Sequence, residues 1–192
     1  MDDYNVIADV SDTLIQLMDN NQIINSNEVD LSSPEDIGSG KKLSLFLYQI
    51  TENPYLKNQD MHMIDTNKYG KSPLALSLFY LITSHSPEMG ENIKQDHIVI
   101  AKILQMINDN PIIRDPFLLG SLTGKELKLI LHSISLDELN KLWSIISKSK
   151  PFKLSISLEV SPVIIESSKE YDVTRVVQRD LDYSLKEEKR NE

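Results

Sequence analysis

The stretch from Leu43 to Thr51 constrains the fold most, because it alternates with period two and is apolar in both phases. Leu43, Leu45 and Leu47 fall on one side, and Phe46, Tyr48 and Ile50 on the other. A β-strand sends successive side chains to opposite faces, so both faces of this segment require cover. The pattern predicts a central strand. Glu52-Asn53-Pro54 ends it, since proline offers no ladder N–H and drives the residue before it toward extended backbone. A surface turn is expected next, leading to Asn58.

Other strands follow from the same periodicity. From Leu74 to Thr83, Leu74, Leu76, Leu78, Tyr80 and Ile82 oppose Ala75, Ser77, Phe79 and Leu81, which predicts a second inner strand. Phe152 to Val160 sets Phe152, Leu154, Ile156, Leu158 and Val160 against Lys153, Ser155, Ser157 and Glu159, so one face should be solvated. Between Glu126 and His132, Leu127, Leu129 and Leu131 point one way and Lys128 and Ile130 the other. Val29 and Leu31 suggest a short strand ended by Pro34. Residues 57–73 are polar and read as an exposed insertion, in which Met61, Met63 and Ile64 suggest a short strand or hairpin arm.

Three segments carry helical spacing instead. Tyr4 to Asn20 places Val6, Ile7, Val10, Leu14, Leu17 and Met18 at three- and four-residue steps. Ile93 to Asn108 does the same with Ile93, His97, Ile100, Ala101, Leu104 and Ile107, and Asn110-Pro111 terminates it. Ser135 and Glu138 fit a capping box, in which each satisfies a free backbone donor of the other. The helix opened there should turn Leu136, Leu139, Leu142, Trp143 and Ile146 inward. Gly38 to Gly40 reads as a turn, and 84–92 and 111–121 as irregular connections.

Irregular alternation of three helices with about five or six strands predicts an α+β fold. We expect a single domain over residues 1–167, built on a mixed, largely antiparallel sheet. Residues 168–192 form an arm or tail. Tyr171, Val173, Thr174, Val176 and Val177 favour a strand, whereas Arg179 to Glu192 is densely charged. Val173, Val177 and Leu181 also fit helical spacing, so a strand-like arm and a last docked helix both remain open. A strand-like arm could add its backbone to the open edge of a partner's sheet.

Charge is placed unevenly. The net charge is −9, and residues 1–40 hold nine acidic groups with no lysine or arginine; the remainder balances. A nucleic-acid binder needs a basic stripe to displace counterions from phosphates, and none is present. Asp2 and Asp3 suit the positive end of the first helix dipole. Asp9, Asp12 and Asp19 either cap and solubilise that helix or offer an acidic surface to a basic partner. The N-terminus has no basic segment followed by an apolar one, so no secretory leader is expected. The longest apolar runs, such as Leu78 to Ile82, are far shorter than a membrane span requires.

Catalytic chemistry is poorly served. Cysteine is absent, which removes thiolate nucleophiles, sulfur ligands and disulfides. The histidines at 62, 85, 97 and 132 never fall three or four apart, so a zinc site is not expected. Ser84-His85 and Asp96-His97 lack a positioned nucleophile elbow. Gly120 to Glu126 fails the phosphate-loop spacing, with Glu126 where a hydroxyl residue is needed. Glu35 and Asp36 read as loop residues rather than a buried acid pair. No enzyme activity, cofactor or metal is expected.

Several segments in order carry a family resemblance: Tyr4 to Val10, Leu31-Ser32-Ser33-Pro34, the strand ending in Asn53-Pro54, Leu76 to Thr83, Leu104 to Pro111, Gly120-Ser121-Leu122, Leu136 to Trp143 and Leu154 to Pro162. Together they resemble the cap, or tail-terminator, proteins of extracellular contractile injection systems, which are phage-tail-like particles. Lys57 to Ser72 is longer and more polar than the family pattern, and the tail lies outside it. The resemblance implies a structural protein that forms a six-membered ring on the last inner-tube ring and last sheath layer. Inner tube protein, sheath protein and further copies of the chain are the implied partners, with no nucleic acid and no membrane. It also implies assembly in the bacterial cytoplasm within a particle open to release outside the cell. Candidate partner contacts are Asp9, Asp12 and Asp19; Asn53, Pro54 and Tyr55 in the turn after the first long strand; and Tyr171, Val173, Val176 and Val177 in the arm. The alternative is a small adaptor domain that binds one protein without forming a ring.

Overall fold

The computed structural model describes residues 3–57, 62–65, 68–85, 93–146 and 152–172. After a 3-10 turn at Asp3–Asn5, helix α1 spans Val6–Asn20. Strands β1 (Val29–Asp30), β2 (Leu43–Glu52), β3 (His62–Asp65), β4 (Lys68–Gly70) and β5 (Leu74–Ser84) follow, then helix α2 (Ile93–Asp109). The chain continues through β6 (Ile112–Ile113), a 3-10 turn at Gly120–Leu122, β7 (Leu127–His132), helix α3 (Leu136–Ile146), β8 (Ser155–Ile165) and β9 (Glu170–Asp172). The loop expected before the second helix falls largely outside the described residues.

Six strands form one sheet in the order β1-β2-β5-β8-β7-β6, antiparallel except for the β1–β2 pair. The predicted α+β fold with its mixed sheet is therefore observed. Position within the sheet differs from expectation. The middle is β5 and β8, and β2 is flanked on its outer side only where Val29 and Asp30 pair with Leu43 and Ser44. Beyond Ser44, no described strand covers that edge. A strand apolar in both phases need not be central: its two faces are covered by layers above and below, not by neighbours in the sheet.

The hydrophobic core lies between one sheet face and helices α1 and α2. Val6, Val10, Leu14, Leu17 and Met18 of α1 and Ile103, Met106 and Ile107 of α2 meet Leu43, Leu45, Leu78, Tyr80, Ile82, Leu127, Leu129, Leu158 and Val160. Each fully buried aliphatic side chain contributes about 1.5–3 kcal/mol relative to exposure. Tyr80 is wholly buried here and ties sheet to helix, its hydroxyl 2.9 Å from Ser11 Oγ. On α2 the inward stripe is turned relative to the expected one. Ile93 and Ala101 are exposed, and Ile103 and Met106 take their place. Apolar residues are spread around most of this helix, so the stripe is set by how it docks.

Two bulges re-phase the strands. Leu47 pairs with Tyr80 and Gln49 with Phe79, so Tyr48 is an extra residue in β2. An inserted residue switches every later side chain to the other face. Ile50 thus lies opposite Leu78 on the helix face rather than beside Tyr48. In β8, Ser161 and Pro162 together face Ser77, and Val163 returns to the phase of Val160. Proline is tolerated there because a bulge relaxes the ladder's demand for an N–H.

The second face of the sheet is also covered, against the expectation of a solvated face on β8: Ser157 and Ser161 are buried. Helix α3 lies over part of it. Only Trp143 of α3 is fully buried, packing edge-on against Phe152 with ring centroids 5.2 Å apart, while Leu136 is 72% exposed. The capping box forms as predicted, with Ser135 Oγ and N both donating to Glu138 Oε2 and Glu138 N donating back to Ser135 Oγ.

The polar insertion does contain a hairpin, β3–β4. To it the chain adds β9, making a second sheet in the order β3-β4-β9. The start of the arm is therefore a strand on its own domain.

Candidate partner-binding surface

One end of the main sheet gathers Asn53, Pro54 and Tyr55 and the strand that carries Tyr171. Glu52 at the end of β2 pairs with Leu76 near the start of β5, and Leu74 pairs with Ile165 at the end of β8. The turn after β2, the small sheet and the loop into β7 all leave from here, the last tied in by Lys125 Nζ donating to the Ile164 carbonyl at 3.4 Å.

Asn53 builds the turn. Its N–H donates to the Ala75 carbonyl at 2.8 Å, its Oδ1 accepts the Tyr55 N–H at 3.0 Å, and its Nδ2 donates to Ser161 Oγ at 2.8 Å. Ser77 Oγ in turn donates to Ser161 Oγ at 2.9 Å. An asparagine that accepts an amide two residues on closes a tight turn locally. Anchored this way, the turn presents Pro54 and Tyr55 outward, with Tyr55 92% exposed.

Asp9 is half-buried on α1. Its Oδ2 accepts Ser121 N–H at 2.8 Å and Ser121 Oγ–H at 2.6 Å, locking the loop into β7 against the helix. Gly120 has φ +56, and a Cβ there would lie 2.5 Å from the Asp9 carboxylate. Glycine is thus needed both for backbone conformation and for space. Asp12 is exposed one turn further on. Asp19 lies about 15 Å along the helix from Asp9 at 1.5 Å per residue, and it accepts the Ser26 N–H at 3.2 Å. The three aspartates do not form one cluster.

Tyr171 sits in β9, 45% exposed and paired with Tyr69, which pairs with Met63. Directly opposed residues share a sheet face, so Met63, Tyr69 and Tyr171 make one row. Lys68 and Glu170 close an ion pair at 2.8 Å across β4 and β9. Val173, Val176 and Val177 lie outside the described residues.

A groove of about 370 Å³ that sequence spacing did not indicate runs under α3, lined by Tyr48, Gln49, His132, Glu138, Leu142 and Ile145 among others. Ser157 Oγ bridges its floor, 3.0 Å from the Tyr48 hydroxyl and 3.4 Å from His132 Nδ1. Phe79 packs edge-on to His132. Burial, partly offset by the Ser157 bond, raises the Tyr48 pKa above its ordinary value of 10.0. The Glu138 carboxylate is engaged by Ser135, so serine, histidine and glutamate share a groove without forming a relay. The signal that could have found it is the alternation of Ser155, Ser157 and Ser161 on a face too buried to be solvated.

The earlier Ser84-His85 and Asp96-His97 pairs resolve into a packing contact. Ser84 Oγ donates to Asp96 Oδ1 at 2.7 Å, joining β5 to α2, while His97 is exposed. His85 is buried with Nδ1 3.1 Å from Lys153 Nζ. Among the described residues no group of three or more histidine and acidic side chains is placed to hold a metal, and no helix is long and apolar enough to cross a membrane.

This fold, a six-stranded mixed sheet with two helices on one face, a third on the other and a small outlying sheet, is shared with solved structures of two terminators. The PVC sheath/tube terminator of an extracellular contractile injection system, in its extended state, superposes with TM-score 0.67 at 19% identity, over 94% of this chain and 64% of that one. The tube-terminating cap of the anti-feeding prophage superposes with TM-score 0.64 at 18% identity, over 91% and 60% respectively. At these identities the likeness is one of fold, and the chain spans less than two thirds of the length of either neighbour. The model of the Pvc16 N-terminal domain matches residues 7–179, and the chain belongs to that family. No curated protein sequence matches it. The resemblance read from the sequence is thus borne out at the level of family.

Proposed function

We propose that this chain is a structural cap that terminates the inner tube and sheath of a contractile injection system at the end distal to the baseplate, as a ring of six copies. The observation that carries this reading is the shared fold over 94% of the chain with a sheath/tube terminator. A ring built from heterologous contacts closes when the rotation between copies is right, and a closed ring cannot grow sideways. The cap offers one face to the tube end and no second face on which another ring could polymerise. Tube protein, sheath protein and neighbouring copies are its partners, and neither nucleic acid nor a membrane takes part. Its role is assembly rather than catalysis, in the cytoplasm of the producing bacterium.

In this reading Tyr55 and the turn that carries it, the exposed Asp12 and the arm from residue 168 onward supply contacts to tube or sheath. Asp9 acts indirectly by holding the loop at Ser121. The test is the mass of the purified chain across a concentration series, imaging of the largest species by negative stain, and then addition of tube protein. Rings near six subunits, or capture at tube ends, are expected. A monomer that binds neither tube nor sheath would leave the adaptor alternative standing.

A further inference from the structure

The small sheet β3-β4-β9 has a feature the cap reading does not use. β4 is paired on both sides, whereas β3 and β9 each pair only with β4 among the described strands. Among the described residues, no strand uses the backbone donors and acceptors of either outer edge. β3 and β9 are each antiparallel to β4, so they run in the same direction. Among the described residues, none of the three strands packs extensively on the main sheet, and a sheet this short gains little stability alone.

We propose that this sheet is the ring-closing contact, in which the outer edge of β9 in one copy pairs in parallel with the outer edge of β3 in the next. This rests on the ring reading above and names its interface. The occupant is a second copy because the two free edges complement each other within one molecule. A rotation axis running roughly along the strands preserves their direction, so each copy offers β9 to one neighbour and β3 to the other. Such a head-to-tail contact is heterologous, and it closes. Closure also removes the edges, which sheets otherwise leave open to unwanted pairing.

Side chains fit the same arrangement. Met63 is 63% exposed and Tyr171 45% exposed, at opposite ends of the row through Tyr69. Pairing β9 with the next β3 sets Tyr171 beside the neighbour's Met63, and the row becomes a continuous band. Aromatic and thioether groups attract one another when the sulfur lies about 5 Å from the ring. The bulge between Met63 and Asp65 keeps the β3 edge irregular, which limits random strand addition.

Absence of cysteine makes the test clean. In the double variant Met63→Cys and Tyr171→Cys, the two thiols of one copy are separated by β4, about 9.6 Å at a strand spacing near 4.8 Å. A disulfide needs Cα atoms within about 7 Å, so it cannot form within one sheet. Between copies paired as proposed, it can. Mild oxidation of assembled rings, or of protein bound at tube ends, should give a ladder of linked species up to ring size on a non-reducing gel. Each single variant should give no species beyond a dimer. Independently, Asp172→Pro, which removes an outward-facing donor of β9 while Tyr171 keeps its bonds to β4, should abolish the ring while the far-ultraviolet spectrum stays that of the folded chain. Rings or tube-bound caps that form normally but yield no ladder would overturn this interface and leave the cap reading intact. Failure of the unsubstituted chain to form rings or to bind tube ends would overturn both.

Discussion

At the scale of single residues, two side chains show how the structure uses groups that read as ordinary in the sequence. Tyr80 is an apolar-phase residue in a strand, yet its hydroxyl is buried against Ser11. Burial pushes its pKa up to about 12, above the ordinary 10.0, with the Ser11 bond pulling the other way. The unfolded chain therefore loses this proton first as pH rises. The associated stability is complete below about pH 10 and is lost as pH climbs toward 12. Tyr80→Phe should flatten that part of the alkaline denaturation curve, and at pH 7 should cost about 1 kcal/mol through loss of the Ser11–Tyr80 hydrogen bond, Ser11 keeping its bond to the Ile7 carbonyl. Gly120 gives a sharper contrast. Gly120→Ala meets both a positive φ and the Asp9 carboxylate, whereas Gly124→Ala, at φ +80, meets open space. Urea unfolding should show a loss of about 1–3 kcal/mol at Gly120 and a smaller one at Gly124. Equal losses would mean that the Asp9 contact does not constrain the loop.

At the scale of elements, helix α3 is the least buried of the three and depends most on its cap. Hydrogen bonds from Ser135 hold the Glu138 pKa below its ordinary 4.5. That contribution is present above about pH 4.5 and fades as pH falls further, when the carboxylate takes up a proton. Ser135→Ala should speed amide exchange in the first turn of α3 at neutral pH while leaving α1 unchanged. In the parent chain, the protection of the same first turn, measured against the intrinsic exchange rate at each pH, should fall on acidification. The capping box was legible because it is local: Ser135 and Glu138 are three residues apart. The docking of α3 was not, because Leu136, Leu139, Leu142, Trp143 and Ile146 share a stripe too wide for the face they meet. Trp143 alone reaches full burial. Similarly, the alternation in β2 was read in unbroken phase, and the bulge at Tyr48 reversed it from Gln49 onward.

At the scale of the whole molecule, the arm is the informative part. Its first strand belongs to the small sheet, so removing residues 168–192 deletes β9 as well as the charged tail. Under the cap reading this truncation should keep the main-sheet core folded, with a melting temperature close to that of the parent, but should reduce co-purification with sheath protein. Unchanged sheath binding would remove the arm from the list of contacts. If Asp12 meets a basic tube surface, Asp12→Lys should slow capture at tube ends, and raising salt should narrow the gap between variant and parent, since exposed charges are screened within about 10 Å at 0.1 M.

The sequence alone determined what depends on neighbours along the chain. Helical and strand periods placed α1, β5, β7 and β8; Ser135 and Glu138 placed a helix start; Pro54 and Pro111 placed ends; and the ordered segments placed the chain in its family. Only the tertiary structure decided what depends on contacts between distant segments. It set β2 beside the edge of the sheet, moved Ile50 to the helix face, buried the serine side of β8 beneath Tyr48 and α3, tied Asp9 to Ser121, and laid the start of the arm along β4. Periodicity reports which side chains need cover, whereas the identity of the covering segment is settled by packing among elements far apart in sequence.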